Sequence, residues 1–367
     1  MKRVMIAPDS FKGTLSSVDV CRIVSEELRK RYAGTEITEI PVADGGEGTV
    51  EAFLYALGGE KIYCTVKSPL GSDIGAYYGV MPDGTAVIEM AQASGISIEK
   101  ENNALLASTF GTGELICNAI DRGCRKIFIG IGGSATTDGG VGCISALGGK
   151  FLNREGESIA LCGKGLSDLH KIDLTGLDKR INECEITVLC DVKNPLYGKK
   201  GAAYVYAPQK GARETDVGLL DKGLRNLAAV TEKALGRDYS SFEGAGAAGG
   251  LGFGLVAFCG ARLMPGIECV LSAADFIKKS EKADLIITGE GKMDSQSLMG
   301  KVPFGVARKS VGKKVVAIVG VSDIDTEAAR KNGIDSIIET NPLHLPFDEI
   351  KHNAEEMLRA ATEKIKL

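Results

Sequence analysis

Residues 4–13 read VMIAPDSFKG, and this stretch indicates both the fold and the position of a site. The apolar run 4–7 predicts a buried strand, which Pro8 ends because proline lacks an amide donor and fixes φ. An acid, a hydroxyl, an aromatic ring, a lysine and a glycine follow at 9–13. Polar residues that directly follow a strand are typical of ligand sites in open α/β sheets. We therefore expect a site at the carboxyl end of the first strand.

The two ends of the chain predict the same alternation of strands and helices. After the first strand, Ser16 or Ser17 can cap a helix that Gly34 closes. A strand at 37–42 and a helix at 49–57 follow. Near the other end, strands are predicted at 284–288, 315–319 and 336–339, and helices at 303–310, 326–332 and 349–365. This alternation predicts a parallel sheet with helices on both faces.

The middle of the chain differs, because its strand candidates at 86–90, 126–131, 186–190 and 203–207 are unevenly spaced among glycine-rich segments. With 367 residues, the chain exceeds what one hydrophobic core usually supports. The predicted fold class is α/β: a doubly wound, Rossmann- or flavodoxin-like domain of residues 1–64 and 283–367, interrupted by an inserted α/β domain of residues 65–282. Separate, continuous N- and C-terminal domains are the alternative.

Composition excludes several classes of function. A net charge of −4 gives no basic excess for nucleic acid or anionic membranes, and no apolar run is long enough to span a membrane. None of the ten cysteines forms a C-x-x-C pair, and most lie in apolar runs, as expected for buried thiols in a reducing compartment. We therefore expect a cytoplasmic protein with small-molecule partners, and a homodimer is the assembly considered.

Polar turns follow five of the predicted strands. Their sequences are IAPDSFKG (6–13), PVADGGEGT (41–49), IGIGGSATTDGG (129–140), LCDVKNPL (189–196) and ITGEGKMD (287–294). Because they come from both predicted domains and occupy the same topological position, we expect them to line one cleft between the domains. Taken singly, each is equally consistent with an ordinary capped or flexible turn.

The residue types in these turns favour one kind of chemistry. They hold carboxylates, lysines and glycines but no histidine, since His170, His344 and His352 lie elsewhere. Phosphoryl transfer needs oxygen ligands for Mg²⁺, cations on the γ-phosphate and a carboxylate that takes the proton of the acceptor hydroxyl. The inventory therefore favours Mg²⁺-assisted phosphoryl transfer over acyl transfer.

Two other enzyme motifs have partial matches. Gly244, Gly246 and Gly249 match G-x-G-x-x-G, but no strand precedes them, so the context of a dinucleotide site is missing. The alternative prediction, a nicotinamide-dependent dehydrogenase of a small hydroxy acid, depends on this match alone. A non-enzymatic binding protein is a further alternative to a phosphoryl-transfer enzyme. Thr136 replaces the last glycine of a G-x-S-x-G elbow around Ser134, and no P-loop motif occurs.

Six motifs together resemble the type 1 glycerate kinases of bacteria. They are APDSFKGTLSS, PVADGGEGT, GGSATTDGG, CDVKNPL, GAGAAGGLG and TGEGKMDSQSLMGKVP, in the same order over essentially the whole chain. The resemblance implies an ATP-dependent kinase that phosphorylates D-glycerate, most often described as giving 2-phosphoglycerate. It also implies two α/β domains, one inserted in the other, in agreement with the prediction above.

Roles for individual residues are predicted from chemistry at the motif positions. We expect catalysis by Asp191, Lys12, Asp294 and Lys292, with Asp191 and Asp294 as the ligands of Mg²⁺. We expect D-glycerate, ATP and its phosphates to contact Asp9, Ser10, Asp44, Gly45, Gly46, Glu47, Gly133, Ser134, Thr136, Thr137, Asp138, Asn194, Gly289 and Glu290.

Overall fold

The computed structural model describes residues 2–295 and 297–367, and it divides into two compact units. The first unit combines the N-terminal residues up to Asp44 with Gly48–Gly58 and Gly266–Leu367. The second unit comprises Gly45–Glu47 and Gly59–Pro265. The boundaries predicted from the sequence lie at 64/65 and 282/283. Residues 45–47, 59–64 and 266–282 therefore belong to the other unit from the one predicted.

The strands of the described residues are β1 (Arg3–Pro8), β2 (Glu36–Glu39), β3 (Glu60–Lys67), β4 (Asp73–Val80), β5 (Ala86–Glu89), β6 (Lys126–Gly130), β7 (Lys150–Leu152), β8 (Lys171–Asp173), β9 (Glu185–Leu189), β10 (Arg262–Met264), β11 (Leu285–Met293), β12 (Lys314–Ser322) and β13 (Ser336–Glu339).

The α-helices are α1 (Ser17–Arg31), α2 (Thr49–Leu57), α3 (Ala91–Ser94), α4 (Phe110–Asp121), α5 (Val141–Ala146), α6 (Ala202–Tyr206), α7 (Glu214–Leu235), α8 (Leu251–Cys259), α9 (Gly266–Ala273), α10 (Phe276–Ser280), α11 (Val302–Lys309), α12 (Thr326–Lys331), α13 (Phe347–Ile350) and α14 (Ala354–Thr362). Short 3₁₀ turns lie at Gly163–Asp168, Lys179–Glu183, Pro208–Lys210, Ala247–Gly250 and Ser297–Met299.

The sheet of the first unit is parallel throughout, in the order β13-β12-β11-β1-β2. Renumbered within the unit and taken from the β2 edge, this is the 2-1-3-4-5 order of flavodoxin-like folds. The order reverses between β1 and β11, which makes their carboxyl ends the topological switch point, where ligands bind in such sheets.

Both faces of this sheet are buried, as its continuous apolar strands require. Val4 and Ile6 of β1 pack in one cluster with Val24 and Leu28 of α1. Met5, between them, is also buried and points to the opposite face because side chains alternate along a strand. The predicted doubly wound α/β fold, interrupted by a second α/β unit, is thereby confirmed.

The start of α1 also agrees with its prediction. The Oγ atom of Ser16 caps the helix by accepting the Asp19 amide at 3.1 Å. The chain therefore turns directly from the polar residues after β1 into a helix that packs against the same sheet.

The second unit has a mixed sheet in the order β10-β9-β6-β5-β4-β3 and a two-stranded antiparallel sheet of β7 and β8. The four strands β10, β9, β6 and β5 are parallel, whereas β4 is antiparallel to both of its neighbours. The carboxyl ends of β6 and β9 therefore lie side by side, and each leads into one of the predicted polar turns.

Three predictions of local structure are wrong. Residues 203–207 belong largely to α6 and not to a strand, because tertiary packing overrides the β-propensity of Val205 and its tyrosine neighbours. The final predicted helix is two helices, α13 and α14. Residues 287–294 are not a turn, because β11 continues to Met293 and pairs with β12 as far as Ser322.

The glycine motif that starts at Gly244 is a packing element and not a dinucleotide fingerprint. Gly249 has φ +65°, and its carbonyl accepts a hydrogen bond from the Gly139 amide at 3.0 Å. A Cβ on Gly249 would lie 2.0 Å from the carbonyl oxygen of Thr136. The motif lies in a 3₁₀ turn before α8, with no strand directly ahead of it among the described residues, so the structure does not support the dehydrogenase alternative.

The ten cysteines are all free, and six of them are buried. Within the described residues, no helix is both long enough and apolar enough to cross a membrane.

We expect Gly249→Ala to lower the free energy of unfolding by about 3 kcal/mol or more, because the added methyl group overlaps backbone and the residue has positive φ. Gly218→Ala is the matched control, since Gly218 lies within α7 and a Cβ added to it would meet nothing within 4 Å. It should stabilise the protein by about 0.5–1 kcal/mol. Urea unfolding of both variants measures the two effects, and equal changes would contradict this interpretation of the motif.

Candidate active site

The first unit contains a cavity of about 490 Å³ at the topological switch point. Asp9, Glu290, Val321 and Asn341 line it at the ends of β1, β11, β12 and β13, four neighbouring strands. The other lining residues are Ser10, Phe11, Lys12, Thr14, Gly291, Lys292, Asp294, Lys301, Gly320, Thr340, His344, Leu345, Phe347, Ile350, Ala354 and Met357. A cavity of this size is in the range that holds a small-molecule ligand.

Asp9 directly follows β1 and is almost fully buried. Its amide donates to the carbonyl oxygen of Gly289 at 2.8 Å, and its Oδ1 atom accepts the Ser10 amide at 2.7 Å. Burial and the nearby negative charge of Asp44 raise the pKa of Asp9 well above its usual range, while Lys12 opposes them. Asp9 therefore lies in the cavity as an acid whose ionisation needs a cation nearby.

Lys12 and Asp44, both predicted from the sequence, form an ion pair. The Nζ atom of Lys12 lies 3.8 Å from the Oδ2 atom of Asp44. The Lys12 side chain is 63% exposed, whereas that of Asp44 is 18% exposed. The ammonium group thus has room to move toward an anion in the cavity, although Phe11 beside it is buried.

Glu290 is a glutamate of the cavity whose pKa is strongly raised. It is buried, and burial raises its pKa to about 7, even though Ser297 and Lys301 act in the opposite direction. Among the described residues, its Oε1 atom has no hydrogen-bond partner. A carboxylate with a free oxygen and a pKa near neutrality can accept a proton under ordinary conditions.

Other predicted residues of β11 have different surroundings. Lys292 lines the cavity but is paired with Asp323 at 2.9 Å. Asp294 also lines the cavity, and its amide donates to Ser297 Oγ at 3.1 Å. Gly289 was expected in a phosphate-binding turn, but it lies within β11, where a Cβ would be 2.1 Å from the Ile318 carbonyl oxygen. Its missing side chain allows strands to pair and does not by itself form a phosphate site.

The predicted pair of metal ligands lies in two different units, Asp294 in the first and Asp191 in the second. Within residues 2–295 and 297–367, no cluster of three or more His, Cys, Asp or Glu side chains has the geometry of a metal site. Mg²⁺ is usually held by one or two carboxylates together with substrate phosphates. The buried Asp9, which lies close to other carboxylates, and Asp294, which lines the same cavity, fit that smaller ligand set.

In the second unit, Asp138 anchors its own loop. The Oδ2 atom accepts the amide and the hydroxyl of Thr109, both at 2.8 Å, and the Gly142 amide at 3.2 Å. The Oδ1 atom accepts the Gly140 amide at 3.2 Å. Because the carboxylate is fully buried and accepts four hydrogen bonds, its observed role is to hold the loop at the start of α5.

Sequence reasoning missed Lys210, which supports the same loop. Its Nζ atom donates to Ser134 Oγ at 2.7 Å and to the Thr136 carbonyl at 2.6 Å. Burial lowers the pKa of Lys210 to about 7, against the favourable charge of Asp138. No local pattern marks this lysine, since its partners lie 76 and 74 residues away in sequence.

The remaining loop residues are close-packed or buried. The hydroxyls of Thr136 and Thr137 are buried and have no hydrogen-bond partner among the described residues. Gly133 has φ +75°, and its carbonyl accepts the Ile96 amide. The Gly132 amide donates to the Gly45 carbonyl at 3.1 Å, and a Cβ on Gly132 would lie 2.7 Å from the Cα of Gly46.

Among the other predicted residues of the second unit, Glu47 and Asp191 are exposed, Asp191 just after β9. Asn194 donates through Nδ2 to the Lys200 carbonyl at 2.8 Å and accepts the Tyr206 hydroxyl at 2.7 Å. Its side-chain amide thus holds the turn after β9 together.

The first unit has a doubly wound topology, a cavity at the switch point, and carboxyls with raised pKa values beside lysines. These features define an α/β enzyme that acts on a small molecule. Comparison with known proteins narrows this class. A family model described as the glycerate kinase family matches residues 4–367. A "Glycerate kinase" of Bacillus subtilis (strain 168) is 45% identical, with 98% of this chain and 96% of that protein covered.

Two further comparisons agree. A "Glycerate 2-kinase" of Escherichia coli (strain K12) is 42% identical, covering 99% of this chain and 97% of its own length. A crystal structure described as that of a putative glycerate kinase 2 from Salmonella typhimurium LT2 superimposes with a TM-score of 0.85 at 41% identity, covering 99% of this chain and 96% of that one. The chain belongs to the glycerate kinase family and is a kinase.

The raised pKa of Glu290 predicts how stability depends on pH. The folded state holds a proton on Glu290 up to about pH 7, whereas the unfolded state releases it near the ordinary value of 4.5. Stability is therefore lost as the pH rises from about 4.5 to 7, by at most about 3 kcal/mol. In metal-free buffer, the free energy of unfolding of Glu290→Gln should equal that of the parent below pH 4.5. The variant should become more stable than the parent as the pH rises to 7, and the difference should stay constant above pH 7.

Urea unfolding at several pH values measures this difference. Glu327→Gln is the control, because Glu327 is 80% exposed and pairs with Lys331 on the surface of α12. The control should follow the parent within about 0.5 kcal/mol at every pH. A pH-independent effect of Glu290→Gln would show that the buried carboxyl does not titrate in this range.

Proposed function

We propose that this protein transfers the γ-phosphoryl group of ATP to a hydroxyl of D-glycerate and releases ADP and 2-phosphoglycerate. The proposal extends to this chain what the names of its relatives say of them. The observation that carries it is the switch-point cavity, where Asp9, Glu290 and Lys12 lie together. A glycerate hydroxyl needs a proton acceptor and the γ-phosphate needs a cation, and this cavity offers both.

The charged residues of the cavity have different roles in this reaction. Glu290 takes the proton of the acceptor hydroxyl as the hydroxyl oxygen bonds to the γ-phosphorus, since the Glu290 pKa of about 7 suits a general base near neutral pH. Lys12 and Lys301 lie in the cavity to balance the charge that builds on the phosphoryl oxygens. The bond from the γ-phosphorus to the β-phosphate oxygen breaks, and ADP leaves.

We also propose that Asp9 and Asp294 hold Mg²⁺ together with the phosphates of ATP. Burial and the repulsion of Asp44 and Glu290 raise the pKa of Asp9, and a bound dication relieves that repulsion. When bound, the metal neutralises charge on the β- and γ-phosphates. Asp191, the other predicted ligand, stays a prediction.

We divide the remaining predicted contacts by whether their side chains form hydrogen bonds within the protein. Asn194 and Asp138 use their hydrogen-bonding groups internally, so we propose positioning roles for them. Glu47, Asp191 and the hydroxyls of Thr136 and Thr137 stay candidates for direct contact with substrate. We propose the cytoplasm as the place of reaction, since ten free thiols suit a reducing compartment.

With ATP, Mg²⁺ and D-glycerate, the purified protein should form ADP in a glycerate-dependent reaction. Adding enolase to the product distinguishes the two isomers, because enolase consumes 2-phosphoglycerate directly, whereas 3-phosphoglycerate first needs a mutase. Enolase turnover without mutase is the expected result. A folded sample that forms no glycerate-dependent ADP would refute the function, and a requirement for mutase would refute the regiochemistry.

Lys12→Ala should lower kcat/KM by roughly 2–4 kcal/mol of transition-state stabilisation, because the ammonium group serves the transferring phosphoryl group. Lys331→Ala is the matched control: its side chain is 72% exposed and also ion-paired, with Glu327 at 2.8 Å, but it lies outside the cavity. Steady-state kinetics and melting temperatures check both variants. Kinetics of Lys12→Ala within about 0.5 kcal/mol of the control would place Lys12 in solvent.

A further inference from the structure

The switch-point cavity is larger and more apolar than a three-carbon hydroxy acid requires. It crosses the ends of β1, β11, β12 and β13, which are separated by strand spacings of about 4.8 Å and so span ~14 Å in total. The carboxylates and lysines come from the loop after β1, from the last residues of β11 and from the residues that follow β11, including Lys301. The proposed chemistry therefore occupies one part of the cavity and leaves the part over β12 and β13 without an assigned ligand.

Residues 341–350, here called the roof segment, follow β13 and contribute apolar groups to the cavity. The ring of Phe347 lies beside Gly13 of the loop after β1, since a Cβ on Gly13 would be 2.8 Å from its Cζ atom. Leu345, Phe347 and Ile350 line the cavity from the roof segment. Leu345 remains 38% exposed and Phe347 49% exposed, although both are large hydrophobic side chains. Apolar surface that is left uncovered inside a cavity marks a place where a ligand with an apolar face binds.

The roof segment is held in place and locally strained. The Asn341 side chain accepts the Leu345 amide at 2.9 Å and donates to the Leu345 carbonyl at 3.0 Å. His344 lies between them with φ +52°, in the left-handed region that non-glycine residues rarely adopt. Strained, well-fixed loop residues cluster at ligand sites, so the position of Leu345 is prepared in advance.

Two adjacent glycines, Gly291 of β11 and Gly320 of β12, also line the cavity. A Cβ on Gly320 would lie 2.1 Å from the Gly291 carbonyl oxygen, so no larger residue fits there while the strands stay paired. Gly320 therefore keeps this position of the cavity lining free of a side chain.

We propose that the adenine of ATP binds over the ends of β12 and β13, against Leu345 of the roof segment, with its triphosphate directed toward Lys12 and Lys301. This makes the first unit the nucleotide-binding unit, and it rests on the kinase function proposed above. Charge supports the orientation, because the lysines that line the cavity lie on the β1–β11 side of the sheet: Lys12 follows β1, Lys292 lies in β11 and Lys301 follows β11. The phosphates meet cations there, while the base meets the apolar groups beyond β12.

The roof segment offers a matched pair of leucines for the test. Leu345 lines the cavity, whereas Leu343 is 77% exposed and outside it. Leu345→Ala should raise KM for ATP roughly tenfold, as loss of apolar contact with a bound ring does, and leave KM for D-glycerate unchanged. Leu343→Ala should change neither constant. Inorganic tripolyphosphate, which has the charge of the nucleotide but no base, should inhibit the parent and Leu345→Ala equally well.

A KM for ATP that stays within about twofold in Leu345→Ala would overturn the proposal, since lost apolar contact with a ring costs more than that. A raised KM for D-glycerate alone would also overturn it, by assigning the roof segment to the acceptor.

Leu345→Trp gives an independent measurement, since the chain contains no tryptophan and Leu345 follows β13, three strands away from β1 and its lysine-bearing loop. ADP should change its emission, and tripolyphosphate should not. Unchanged emission with saturating ADP also overturns the proposal. This binding assay needs no turnover, so it separates failure of the nucleotide site from failure of the glycerate kinase activity.

Discussion

The pairing of β1 with β11 is the constraint on which the first unit depends. These strands come from opposite ends of the chain, and the Thr288 hydroxyl donates to the Ala7 carbonyl across 281 residues of sequence at 2.9 Å. Pro8 lies beside Gly289, whose carbonyl accepts the Asp9 amide. The whole second unit is inserted between the partners, so the sheet and its switch point form only when the two ends of the chain meet.

This pairing also creates the electrostatic character of the site. It places Asp9, at the end of β1, in the same buried surroundings as Glu290 of β11. Burial raises the pKa of both carboxyls, and the charge of their common neighbour Asp44 raises it further. Burying like charges together costs stability in the folded protein. Such an arrangement is typical of functional sites, because a cation and a substrate proton relieve the repulsion only when ligands are bound.

Much of the fold and part of the site could be predicted because the signals are local. Apolar runs predict β1, β12 and β13, and Asp9, Lys12 and Glu290 stand out because they are charged residues that come soon after an apolar run. The strand order could not be predicted, because no local sequence pattern indicates that β11 pairs with β1. The role of Lys210 could not be predicted for the same reason, since only its contacts with distant residues distinguish it from a surface lysine.

The roof segment was missed for another reason, which concerns the kind of signal rather than its distance. The sequence predicts one helix over 349–365 and assigns no role to the leucines and the phenylalanine that precede it at 343–347. In the structure, the Asn341 amide and the left-handed His344 turn the chain so that Leu345 lines a cavity instead of joining the core. Polar catalytic groups stand out in a sequence because they are unusual after a strand. Apolar ligand-binding groups do not, because the same residue types build the core, and only the backbone turn that exposes them shows the difference.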